Sequence, residues 1–261
     1  MSKLPREHRF IDLSDYGRPI AKIIARSLQH TRYTPIDVTL SFVVSGLIAL
    51  TLMLNEIYWA AGIFLVCKSI LDAADGELAR IKNTPSYTGR FLDSIADIVL
   101  NLLLFTVITY ISDTHILPGI LAFICMQLQG TLYNYYYAIL RSKKAGDTTS
   151  RIFEKEVPTA FPGEQQKYVT LTYKLYRFLY GGFDELIYRL DFSAFSGKLI
   201  PNWFMTMLSI FGLGFQLLLI SLLLILGLKA YVALIIIALT ALLPVFIFIR
   251  KYSLCFNKKS L

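Results

Sequence analysis

The chain has 261 residues, of which 55% are hydrophobic, 14% aromatic and only 17% charged, a balance too apolar for an ordinary soluble domain and typical of a membrane protein. On so apolar a chain, the net charge of +8 reads as attraction to anionic lipid headgroups and control of topology, and nucleic acid is not an expected partner. Cys67, Cys125 and Cys255 lie in or beside apolar segments with neither paired spacing nor a Cys/His cluster, so they read as packing residues rather than zinc ligands.

The polar, basic N-terminal arm shows no short apolar core followed by a small-residue cleavage site, so no removable signal peptide is expected. Within it, residues 12–32 place Ile20, Ile23, Ile24 and Leu28 at helical spacing, with Arg18, Lys22, Arg26 and Arg32 distributed around them. That pattern predicts an amphipathic helix on the membrane surface, the alternative being a solvated basic tail. Pro35 marks the bend into the bilayer.

Six stretches reach the roughly 17–25 apolar residues of a membrane helix: 38–54, 57–79, 91–111, 117–140, 204–228 and 230–249. The expected fold class is therefore all-α: a polytopic membrane protein with six transmembrane helices and an N-terminal amphipathic surface helix. The arm occupies 1–34 and the six-helix domain 35–261, with an insertion at about 141–203. Of the 26 Lys and Arg residues, 24 fall in the arm, the joint at 80–90, the insertion and the C-terminal tail; Lys68 and Lys229 are the exceptions. The positive-inside rule puts those segments in the cytoplasm. The insertion opens with a turn-like polar run at 142–150. It continues into an aromatic stretch through Tyr168, Tyr173, Tyr176, Phe178 and Tyr180, with a break expected at Gly181 and Gly182. Such a stretch suits an interfacial packing helix, with a lid or acceptor site as the other reading.

The chemistry concentrates in residues 71–101. At about 100° per residue, Lys68, Asp75, Gly76 and Ala79 all fall within about 60° of Asp72, and Gly89 and Asp97 within about 40° of Asp93. The second and third spans run in opposite directions, so all four carboxylates are expected at one cytoplasmic depth. Like charges in an apolar region repel and are costly to insert, and Lys68 and Arg80 cannot neutralise all four. Hard oxygen ligands without His or Cys suit Mg²⁺ or Mn²⁺, which in turn suits a diphosphate substrate. Gly76, Ala79 and Gly89 clear volume beside the acids, either for a ligand or for close helix packing.

The series Asp72-x2-Asp75-Gly76-x2-Ala79-Arg80-x8-Gly89-x3-Asp93-x3-Asp97 resembles the complete motif of the CDP-alcohol phosphotransferase family, at that family's spacing. The resemblance extends to the six spans and the surface helix, and leaves 141–203 uncovered. It implies an enzyme of phospholipid biosynthesis with a CDP-linked donor, a hydroxyl acceptor, release of CMP, two Mg²⁺ or Mn²⁺ ions and a homodimer. By position in the motif, Asp72, Asp75 and Asp93 are metal ligands, and Asp97 is the general base, also within reach of a metal. Gly76, Ala79, Arg80 and Gly89 line the nucleotide. The family's Pro-Asn-x-x-Thr appears here as Pro35-Ile36-Asp37-Val38-Thr39: Ile36 replaces the Asn, and Thr39, with Lys68, stands as a candidate phosphate contact. The wording around Asp75–Arg80 and Asp15–Ile20 leans towards members that use soluble CDP-alcohols with a lipid acceptor, the alternative being CDP-diacylglycerol with a soluble polyol or amino alcohol. From other classes, a cation-coupled transporter would need paired halves and broken helices, and an inactive structural protein would be expected to have lost some of the acids.

Overall fold

The computed structural model describes residues 9–143, 156–195 and 200–253, and every regular element among them is helical. Cys255 and most of the polar run at 142–150 lie outside these residues. Helix α1 is Arg18–Leu28, α2 Pro35–Leu54, α3 Tyr58–Lys82, α4 Tyr87–Ile111, α5 Ile116–Lys143 and α6 Gln166–Leu190. Helices α7 (Asn202–Leu208), α8 (Leu213–Ile225), α9 (Val232–Leu239) and α10 (Leu242–Phe248) complete the described set.

Local signals set the boundaries around the acids. Thr34 and Asp37 form a reciprocal capping box at the start of α2, with Pro35 in the first helical position. Asn83, left-handed at φ 52°, ends α3. Ser86 caps α4 by accepting from the Gly89 N–H at 2.8 Å. The chain therefore reverses within a few residues, and α3 and α4 bring their Asn83 and Ser86 ends together.

Among the described residues, four helical stretches are long and apolar enough to cross a membrane: Pro35–Leu54, Tyr87–Ile111, Ile116–Lys143 and Lys229–Tyr252. A bent pair, Asn202–Phe211 with Leu213–Ile225, makes up to five. The 25-residue α3 has the length for a sixth, but Lys68, Asp72 and Asp75 lower its apolarity. The stretch expected as one span at 204–228 is bent by 49° around Gly212, because the N-terminal arm wedges against it. The Leu13 N–H donates to Ser209 Oγ at 2.9 Å. A Cβ on Gly214 would collide with the Ser14 carbonyl oxygen, so only glycine lets the arm come this close.

The arm is more than a surface tail. Helix α1 buries Ala21 and Ala25 against α3, with Ile24 and Leu28 partly covered. Ile20 and Ile23 remain 51% and 67% exposed, so the predicted apolar stripe is split between a protein face and an outward face. Lys82 Nζ donates to the carbonyls of Thr31 and Tyr33 at 2.9 and 2.6 Å, tying the α1–α2 joint to the end of α3. The expected break at Gly181 and Gly182 is absent: α6 continues through both. Two glycines in a helix interior cost about 2 kcal/mol together, which packing on α4 and α5 offsets.

Candidate active site

Helices α3 and α4 bring ligand oxygens of Asp72, Asp75 and Asp93 within 4.8 Å of one another. This follows from the spacing: Asp72 and Asp75 share a face of α3, and Asp93 sits two turns into the returning α4. Asp97, one turn further along α4, stands outside that trio. Its Oδ1 accepts from Lys68 Nζ in a buried ion pair. Lys68 is only 2% exposed and lies 5.0 Å from the centre of the Phe42 ring, so its charge is fixed on Asp97 rather than shared freely.

The other basic group considered from sequence, Arg80, pairs with Glu77 at 3.2 Å. Among the described residues, no ion pair engages Asp72, Asp75 or Asp93. Asp75, 8% exposed, accepts from the Thr39 hydroxyl at 2.7 Å. The Thr39 hydroxyl thus joins the carboxylate cluster through Asp75. Asp93 Oδ1 is buried with no hydrogen-bond partner, and a buried carboxylate oxygen left so is costly unless something else engages it. Asp37 is committed to the α2 cap, its Oδ2 accepting from the Thr34 N–H and hydroxyl at 2.7 and 2.8 Å, so it does not stand in for the Asn replaced by Ile36.

The small residues differ in their surroundings. A Cβ on Gly76 would meet only the Arg80 guanidinium of its own helix, at 3.5 and 3.6 Å, so no neighbouring helix requires glycine there. One on Gly89 would press on its own cap, 3.1 Å from Ser86 Oγ. Ala79 is half-buried on the same side of α3. Arg80 Nε is buried without a partner, an unspent donor beside the Gly76 gap. The mouth of the site is braced by Glu77, which accepts from Arg18 at 2.6 Å, while Arg18 also pairs with Asp15. Although burial opposes it, the carboxylates of Asp15 and Glu77 push the Arg18 guanidinium above its ordinary value.

Two contributors were not visible in sequence, because they come from the insertion. Glu164 fastens the segment before α6 to the start of α4 through Ser86, Tyr87 and Thr88. Although burial opposes it, these hydrogen bonds hold its carboxyl below the ordinary glutamate value. Tyr180, on α6, has its phenol pushed well above its ordinary value by burial, then by Asp97, Tyr176 and Asp93. The phenol therefore stays protonated near Asp97 and Asp93. A loop glutamate and one tyrosine in an aromatic run carry no local signal of either role.

A trio of carboxylates with no ion-pair partner among the described residues, one oxygen of it orphaned and no His or Cys in the set, fits a hard divalent metal ion. Residues 33–161 match the family model described as CDP-alcohol phosphatidyltransferase, and this interval contains all four aspartates. No curated protein matches the chain.

Proposed function

We propose that the chain, whose residues 33–161 match the CDP-alcohol phosphatidyltransferase model, moves a substituted phosphate from a CDP-linked donor to a hydroxyl acceptor at the Asp72, Asp75 and Asp93 cluster, releasing CMP. The observation that carries this reading is the trio of carboxylates with no ion-pair partner among the described residues, beside Gly76, where an added Cβ would meet only the Arg80 guanidinium.

Asp72, Asp75 and Asp93, with Asp97 at the edge, would hold Mg²⁺ or Mn²⁺, two ions in all. Bound there, the metal would polarise the phosphorus and stabilise the leaving phosphate. Thr39 orients Asp75 through its hydroxyl. Gly76, Ala79 and Gly89 leave room for the nucleotide, and Arg80 offers a charged donor to it. Asp97, one oxygen held by Lys68, keeps its other oxygen to take the proton of the acceptor hydroxyl. The acceptor oxygen then forms its bond to phosphorus as the bond from that phosphorus to the bridging oxygen breaks, and CMP carries the electron pair away.

The excess of Lys and Arg at 80–90 and 141–203 supports a cytoplasmic site and six spans, with α3 as the one whose charges are functional. Ile20 and Ile23, outward on α1 beside Lys22 and Arg26, support an arm at 1–34 that lies on anionic lipid. We assign residues 35–261 to the catalytic domain, take the protein as a homodimer, and lean to a soluble CDP-alcohol donor with a lipid acceptor over CDP-diacylglycerol with a polyol. The broken span that a transporter would require bends against Ser14, whereas the carboxylate trio lies on α3 and α4. The test incubates purified protein with Mg²⁺ and a panel of CDP donors and acceptors. Release of CMP coupled to one acceptor supports the reading, and no release from any pair refutes it.

A further inference from the structure

One carboxylate of the insertion, that of Glu164, gathers the donors at the start of α4. Glu164 Oε1 accepts from Ser86 Oγ at 2.8 Å and from the Thr88 N–H at 2.9 Å. Its Oε2 accepts from the Tyr87 N–H at 3.0 Å and from the Phe161 N–H of its own loop at 3.2 Å. These are the first donors of α4, where the helix has no partners of its own and its dipole favours an anion. Ser86 is a relay, because the hydroxyl that donates to Glu164 accepts from the Gly89 N–H at 2.8 Å. Phe161 stacks on Tyr87 with ring centres 4.6 Å apart, and Val169 and Tyr173 of α6 pack with Phe91 and Ile95 of α4. One turn beyond Gly89 on the same helix lies Asp93.

We propose that Glu164 is a positioning residue for the nucleotide: it fixes the first turn of α4 through Ser86, and so sets Gly89 and Asp93 relative to Asp72 and Asp75. This rests on the reading of Gly89 and Asp93 given under the proposed function. The insertion is then a working part of the site. The chemistry demands a carboxylate, since four donors converge on two oxygens. A glutamine would present its NH₂ to at least one pair of them, donor facing donor, whereas aspartate keeps both acceptors on a shorter reach.

The experiment measures calorimetric binding of CMP with Mn²⁺, and KM and kcat for the panel donor turned over fastest, on full-length protein in one detergent. The variants are Glu164→Gln, Glu164→Asp and Ser86→Ala, the last breaking the relay without altering charge should Glu164→Gln fold poorly. Glu164→Gln and Ser86→Ala are expected to raise the Kd for CMP and the donor KM about tenfold, the low end for outer partners of metal-site residues. In these variants kcat should stay within about threefold, and Glu164→Asp should recover part of the lost affinity. Folded variants with wild-type Kd and KM overturn the inference, as does a loss of thermal stability or kcat with KM unchanged. Wild-type protein that binds no CMP with Mn²⁺ sinks the proposed function and the inference with it, whereas wild-type binding equalled by the variants sinks the inference alone.

Discussion

Replacing Thr39 by valine isolates one atom of the site. The Thr39 hydroxyl donates to Asp75 Oδ2 at 2.7 Å in a buried position, and valine keeps the side-chain outline while removing that donor. A hydrogen bond to a charged group contributes about 1.5–3 kcal/mol. Because Asp75 lies within the carboxylate trio, part of that loss falls on metal affinity, where outer partners of ligands typically control about 10–100-fold. The expected phenotype is a Kd for Mn²⁺ raised within that range, with CMP release at saturating Mn²⁺ restored to within a few-fold of wild type. Thr39→Ser keeps the hydroxyl and should stay close to wild type. The assay is CMP release titrated with Mn²⁺, beside calorimetry of Mn²⁺ binding. A Thr39→Val protein with unaltered metal dependence, or with a rate defect that saturating metal does not relieve, would refute the role given to Thr39.

Asp93→Asn removes a charged ligand and should weaken both metal and donor binding. Asp97→Asn should spare donor binding while slowing CMP release by about 10²–10⁴, the usual contribution of a general base; calorimetry and rates on both variants decide, and equal binding losses would make Asp97 a ligand instead. A cysteine placed at Lys174 should react with an impermeant reagent only from the cytoplasmic face, and one at Thr114 only from the opposite face. Gly214→Ala pushes a methyl group into the Ser14 backbone and should lose about 1–3 kcal/mol by thermal unfolding in detergent, the usual cost of overpacking. Arg250→Ala strands the fully buried Asp191, its ion-pair partner, and should lose about 3–5 kcal/mol in the same measurement.

The meeting of Asp72 and Asp75 with Asp93 was legible in the sequence because helical periodicity and a short reversal dictate it. The separation of Asp97 from that trio was not, since it depends on Lys68 choosing one carboxylate among four. The small residues at 76, 79 and 89 could be read as packing or as an opening, and only Gly76, where an added Cβ would meet no other helix but just the guanidinium end of Arg80, favours the opening. The bend at Gly212 escaped the sequence because its cause, Ser14, lies some two hundred residues away in the chain. The continuity of α6 was missed for a similar reason: Gly181 and Gly182 are weak helix formers, overruled by contacts with α4 and α5.

The most direct test of metal-dependent transfer at this cluster is CMP release by the purified protein with Mg²⁺, after addition of a chelator, and after Mg²⁺ is restored. The account predicts release, its loss and its recovery, with Asp93→Asn recovering only at much higher Mg²⁺. Full release in the presence of the chelator, or an Asp93→Asn protein with wild-type Mg²⁺ dependence, would contradict it.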